Sequence, residues 1–130
     1  VHQSLLFWER INNLEIFSNT KNTLVRVVIP PSKCINLMKY LDHSYKYYID
    51  WCGSLFWIEI SDMGEEKLLS IKNYITKLGG YLTVIKNSEN SVPLKDIFTI
   101  DETRLNISKK IKESFDPKGI FNPGKMYRSI

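Results

Sequence analysis

Residues 62–86 read DMGEEKLLSIKNYITKLGGYLTVIK. Leu68, Ile71, Ile75 and Leu78 recur at i, i+3, i+7 and i+10, one apolar stripe along a helix over 65–78. Asp62 stands three residues before Glu65, the spacing of a capping box. Gly79-Gly80 ends the helix, because glycine enters the left-handed region that closes many helices without a steric penalty. A strand follows at once over 81–86.

Upstream, residues 54–60 (SLFWIEI) alternate. Leu55, Trp57 and Glu59 face one way, and Phe56, Ile58 and Ile60 face the other. With 45–51 (YKYYIDW) they predict a hairpin that turns at Cys52-Gly53 and buries one face. Residues 24–29 (LVRVVI) have the β-branched composition of a central strand. Pro30-Pro31 stops it, since proline cannot donate to a sheet ladder. Ser32 is the candidate N-cap of a helix over 33–42, with Ile35, Met38 and Leu41 on its inner face. The order β-α-β-β-α-β predicts an α+β fold, a ferredoxin-like split β-α-β sandwich with an antiparallel sheet. Helices 33–42 and 65–78 are expected on one face of that sheet, where their stripes find cover.

Either side of this unit the pattern weakens. Residues 4–17 place Leu5, Trp8, Ile11 and Leu14 near helical spacing and predict a short helix, set off by polar turn residues 18–23. Residues 87–99 are polar and irregular. Asp101 caps a last helix over 102–115, with Ile107, Ile111 and Phe115 facing inward, and Asp116-Pro117 ends it. The chain therefore divides into a body over 1–100 and a C-terminal helix with an irregular tail over 101–130. The tail carries Ile120, Phe121, Met126 and Tyr127 as apolar anchors. It is expected to be mobile or to pack on a neighbouring copy, since terminal segments stay ordered only when tied down.

The 130 residues are 43% hydrophobic and 25% charged, the balance of a soluble globular domain. No apolar run approaches the roughly 20 residues of a membrane span, so no transmembrane segment is expected. Val1-His2-Gln3-Ser4 has neither the charge-then-apolar pattern of a signal peptide nor an initiator methionine, so the natural protein is expected to extend upstream or to be processed. Cys34 and Cys52 form no CxxC pair, and His2 and His43 are not spaced to complete a zinc site, so no metal is expected. The two thiols read as reduced and largely buried in a cytoplasmic protein. The net charge of +4 lies wholly at the C-terminus: residues 109–130 hold six basic side chains against two acidic ones. That excess is either a solvated lysine face or an attraction for an anionic partner, such as a cofactor diphosphate or an acidic neighbouring domain.

The tail FDPKGIFNPGKMY, Phe115 to Tyr127, is a helix stop followed by two rigid turns, because proline fixes φ and glycine permits close backbone approach. It resembles the C-terminal signature of FAD-linked oxidases of the vanillyl-alcohol oxidase type. Phe7-Trp8-Glu9-Arg10, Leu24-Val25-Arg26-Val27 with Pro30-Pro31 after it, Asp50-Trp51-Cys52-Gly53, and Gly79-Gly80-Tyr81-Leu82-Thr83 are similar, in order, to segments of the glycolate oxidase E-subunit family. Ser54 stands where those relatives usually have a second glycine, and Tyr81 where they often have histidine.

The resemblance implies the C-terminal cap part of an FAD-dependent 2-hydroxy-acid (glycolate) oxidase or dehydrogenase subunit. Its flavin-binding domain has no counterpart here, so FAD is expected in the intact protein and not on this fragment alone. Asn122, Gly124 and Lys125 are the candidate contacts to the flavin or its domain. Arg26 is a candidate fork for a substrate carboxylate, against the simpler reading of a solvent-facing strand residue. Tyr81 is a second substrate candidate, against a packing role. Trp51 and Trp57 read as hairpin or core packing, and no catalytic residue is assigned. Implied partners are an upstream FAD-binding domain, the other flavoprotein and iron–sulfur subunits of a glycolate oxidase-type assembly, and a second copy through the tail. A stand-alone ferredoxin-like module binding RNA or protein, and an inactive remnant of a truncated gene, are the alternatives. Nucleic acid is disfavoured, because the basic excess sits in the tail rather than on the sheet.

Overall fold

Val25 and Val27 are fully buried, while Arg26 between them is half-buried on the opposite side. This is the period-two pattern of a strand with one sealed face. The computed structural model describes residues 2–61, 64–88 and 97–130. Its elements run α1 (His2–Asn12), β1 (Thr23–Val28), α2 (Cys34–Leu41), β2 (Lys46–Asp50), β3 (Leu55–Ile60), α3 (Gly64–Lys77), β4 (Tyr81–Lys86) and α4 (Glu102–Phe115). The sheet order is β2-β3-β1-β4 and every pairing is antiparallel. Each crossover helix thus joins two strands with a third between them, the arrangement expected of the split β-α-β sandwich.

One core fills the space under the helices. Val25 and Val27, Phe56 and Ile58, and Leu82 and Val84 meet Leu37 and Leu41 of α2 and Leu68, Ile71 and Ile75 of α3. Both helices therefore cover the same face. Sealing a side chain of this size from water stabilises by about 1.5–3 kcal/mol, so this cluster is the largest source of stability. Tyr40 and Tyr74 stack at 4.0 Å and tie α2 to α3 beside it.

The helices α1 and α2 depart from expectation. The inner face of α2 is Leu37 and Leu41; Ile35 is 64% and Met38 38% exposed. Ser32 does not cap it, because a 3-10 turn over Pro31–Lys33 comes first and Lys33 makes no side-chain cap bond. The turn delays the helix, and each residue of delay rotates the buried stripe by about 100°. The helix expected over 4–17 breaks after Asn12. Leu14 takes a φ of 50°, and a 3-10 turn over Glu15–Phe17 buries Phe17. The Asp62 capping box lies outside the described residues.

The turns follow their glycines. The Ser54 N–H donates to the Trp51 carbonyl at 3.1 Å, and Cys52 and Gly53 between them have φ of 52° and 88°. Positive φ at both central residues is the sign of the primed hairpin turns. At the end of α3, Gly79 has a φ of 77°. Gly80 answers a different need: a Cβ there would sit 2.5 Å from Ile29 Cγ2 and 2.6 Å from the Val28 carbonyl oxygen.

The two glycines are therefore expected to fail differently. Gly80→Ala forces backbone apart and should destabilise by about 1–3 kcal/mol, and Gly80→Asn by more. Gly79→Ala should lose roughly 1–2 kcal/mol to left-handed strain, with Gly79→Asn milder, because asparagine tolerates that region. Thermal unfolding of the four variants checks this; an asparagine that restores position 80 would refute the steric account.

Candidate functional site

With both helices on one side, the other face of the sheet presents three rows of side chains. Register aligns Lys46, Glu59 and Leu24 in the first; Tyr48, Trp57, Arg26 and Thr83 in the second; and Asp50, Leu55, Val28 and Tyr81 in the third.

The first row is covered by the segment between α1 and β1. Lys46 Nζ donates to the Ile16 carbonyl, Lys86 Nζ to the Thr20 carbonyl, and Asn22 Nδ2 to Glu59 Oε1 at 2.6 Å. Burial pushes the Glu59 carboxyl up, but hydrogen bonds from Asn22 and Thr20 and the charge of Lys46 outweigh it and leave the group below its ordinary range. Glu59 thus holds the segment in place. Beside it a cleft of about 680 Å³ opens between α1 and the sheet edge, lined by Phe7, Ile11, Leu14, Ile16 and Tyr48.

The second row carries Arg26. Its guanidinium lies over the Trp51 indole, 5.3 Å from the ring centroid. Among the described residues no carboxylate pairs with it within 4 Å. Trp51 is 55% exposed, so it is a surface platform rather than the core or hairpin packing read from sequence, whereas Trp57 is half-buried in the row.

Tyr81 shares this face, one row away on β4, diagonal to Arg26 and so roughly 7 Å from it between Cβ atoms. Its hydroxyl already accepts a hydrogen bond from Arg104, whose guanidinium also lies 4.9 Å from the Tyr81 ring centroid. Asp101 holds Arg104 in turn, through its N–H at 2.9 Å and its guanidinium at 3.3 Å. The two substrate candidates are therefore on one surface, Arg26 half-buried without a carboxylate partner among the described residues and Tyr81 engaged by Arg104. Arg104 went unread in the sequence, although its place three residues after the cap Asp101 is a recognisable pairing distance.

The C-terminal region closes on the edge of β4. Residues 97–99 run along that edge, with Val84 N–H donating to the Ile97 carbonyl at 2.8 Å and Thr99 N–H to the Leu82 carbonyl at 2.9 Å. The tail returns to the same strip: Ile97 N–H donates to the Met126 carbonyl at 3.4 Å, and Phe98 and Tyr127 have ring centroids 6.0 Å apart. Contrary to expectation, Ile107, Ile111 and Phe115 of α4 face outward, 53%, 54% and 85% exposed. The half-buried side of α4 is Leu105, Ser108, Lys109 and Lys112, because its two ends are fixed by the strip and by the turn that follows. Of the tail anchors, Tyr127 packs while Ile120, Phe121 and Met126 stay exposed.

That turn is built around one carboxylate. Asp116 accepts from Lys112 Nζ at 2.5 Å and from the Ile120 and Phe121 N–H groups at 2.9 and 2.8 Å. Lys112 Nζ also donates to the Phe121 carbonyl. Beyond it, Asn122 and Gly124 have φ of 46° and 67°. Gly124 N–H donates to the Ile130 carbonyl at 2.6 Å, and Lys125 N–H to the Asn122 carbonyl at 3.3 Å. Asn122, Gly124 and Lys125 thus stand together on an exposed turn, and a Cβ on Gly124 would meet nothing within 4 Å. The turn is free for approach by another body. Arg26 stands on the sheet, apart from this turn in the fold. Cys34 packs against the core, while Cys52 is exposed and both thiols are free, which corrects the expectation of two buried cysteines.

Residues 98–126 match the family described as FAD linked oxidases, C-terminal domain. These residues start on the β4 edge at Phe98, run through α4 and end at Met126 against Ile97 in the strip beside that edge. Over 125 residues the chain is 22% identical to glycolate oxidase subunit GlcE of Escherichia coli, covering 95% of this chain and 32% of that protein. The chain thus spans about a third of the length of the relative it matches. No solved structure matches it. No helix among the described residues is long and apolar enough to cross a membrane.

Acid should open the Asp116 turn. The Lys112 ammonium, then the Ile120 and Phe121 amides, lower its carboxyl from an ordinary 3.8 to about 2. A depressed folded-state value means that the stabilisation is fully present above about pH 4 and is lost as pH falls through about 2. Protection of the Ile120 and Phe121 amides from hydrogen exchange, relative to the intrinsic rate at each pH, should fall over that window, and in Asp116→Asn exchange should be faster by roughly tenfold at neutral pH. Core amides of β1 should not respond. Equal exchange in wild type and Asp116→Asn would refute the assignment.

Proposed function

We propose that this chain is the C-terminal cap part of an FAD-dependent oxidoreductase subunit acting on a 2-hydroxy acid of the glycolate type. Its flavin-binding domain lies outside these 130 residues. The observation that carries the reading is the coincidence of the matched residues 98–126 with a structural unit that starts on the β4 edge at Phe98 and closes at Met126 on the strip beside it. Residues 1–100 form the substrate-side cap, and residues 101–130 bear the contact to the flavin domain.

In such a site FAD supplies the hydride-accepting chemistry. This chain's own residues bind and orient. The Arg26 guanidinium offers a planar fork to the substrate carboxylate. Trp57 and Tyr48 flank it on one side and exclude water, and Thr83 offers a hydroxyl on the other. Tyr81, with Arg104 on its hydroxyl, closes the β4 side of the face. Asn122, Gly124 and Lys125 meet the flavin domain through the exposed turn, with the lysine-rich C-terminus drawn toward anionic groups there. The partners are that domain and further subunits of a multi-subunit glycolate oxidase-type enzyme, a flavoprotein and an iron–sulfur protein, in the cytoplasm. An RNA-binding reading has less support, because Lys46 and Lys86 on the sheet are spent on backbone carbonyls.

The test is to co-purify the chain with the flavin-binding region of a glycolate oxidase E subunit. The complex should show 2-hydroxy-acid-dependent bleaching of the flavin band at roughly 450 nm, while the chain alone takes up no stoichiometric flavin. Arg26→Gln should lower kcat/KM by roughly 100-fold, with Arg26→Lys intermediate. A chain that neither binds nor complements that region would overturn the reading.

A further inference from the structure

Trp51 occupies a position that packing does not explain. It is exposed on a hairpin turn at a φ of 50°, with Cys52 next at 52°. Left-handed backbone is uncommon at non-glycine residues, and a bulky side chain there is a marked outlier. Glycine would satisfy the turn with less strain. Strain of this kind persists where the surroundings hold it, and it gathers at functional sites.

Here the strain has a geometric product. The Asp50 carboxylate accepts the Trp51 N–H at 2.7 Å and fixes the turn, which lays the indole against the Arg26 guanidinium at 5.3 Å. An indole face satisfies the flat side of a guanidinium and leaves its N–H edge available. No carboxylate among the described residues takes that edge within 4 Å. Trp57 and Thr83 flank Arg26 in register on the neighbouring strands. The side chain is thus restrained by a ring instead of by an ion pair.

We propose that Trp51 is a positioning residue, which holds the Arg26 guanidinium with its donor edge outward as the receptor for a small carboxylate on the open sheet face. This rests on the carboxylate role of Arg26 argued above. A ring is suited to the task because it orders the long arginine side chain without neutralising it. An acidic partner would do the ordering but would also compete with the ligand.

The test is an NMR titration of the isotopically labelled chain with glycolate, using ethylene glycol and chloride as neutral and simple-anion controls. Glycolate should shift the Trp51 indole and Arg26 side-chain N–H signals to saturation, and the controls should not. Arg26→Gln should abolish the response. Trp51→Gly should keep or raise the melting temperature yet weaken glycolate binding about fivefold, while Trp51→Phe stays within about twofold of wild type. Unchanged binding in Trp51→Gly would overturn the positioning role and leave the Arg26 reading standing. A large fall in melting temperature for Trp51→Gly would assign the indole to the fold and also overturn the proposal. No Arg26-dependent shift in the wild-type chain would overturn both.

Discussion

Val25, Val27, Phe56, Ile58 and Leu82 can be sealed from water only if α2 and α3 lie side by side on the same face of the sheet, and this burial is what the remaining structure answers to. Once both helices are committed there, the other face has no helix to cover it. Its lower row is closed by the segment after α1, pinned through Lys46, Lys86 and Asn22. Its middle row, with Tyr48, Trp57, Arg26 and Thr83, stays half-exposed, while Leu55 in the third row is buried. The open surface bearing Arg26 is thus a direct result of where the apolar stripes go.

The same constraint explains the glycine pair after α3. A helix packed tightly on the sheet must return to it within a few residues, so the backbone at Gly80 runs against Val28 and Ile29 with no space for a Cβ. Gly79 supplies the left-handed step just before it. At the same end of the sheet Gly53 lies over Cys34, where a Cβ would come within 2.9 Å of the sulfur. Both turns are set by close approach of elements that share one core.

The C-terminal region depends on different physics. It buries little apolar surface and is instead held by edge hydrogen bonds at residues 97–99 and 126 and by the Asp116 carboxylate, which collects an ammonium and two amides. This makes the aspartate in the tail's signature a structural group, consistent with a reading in which the exposed turn beyond it, at Asn122, Gly124 and Lys125, is the part offered to a neighbour. The outward stripe of Ile107, Ile111 and Phe115 lies on this same region.

Strand and helix identities were legible in the local pattern, because the β-branched composition of 24–29, the alternation in 54–60 and the stripe of Leu68, Ile71 and Ile75 each report burial locally. The tail's likeness to FAD-linked oxidases was legible too, because its turns need particular residues at fixed spacing. Which side of α2 or α4 is buried was not, since a 3-10 turn at Pro31–Lys33 or an anchor at each end of α4 rotates a helix without altering its periodicity. Nor were the contacts of Trp51 with Arg26, 25 residues apart, or of Tyr81 with Arg104. Those pairs exist only because strand register and a strained turn bring distant residues onto one surface, and separation along the chain carries no record of that.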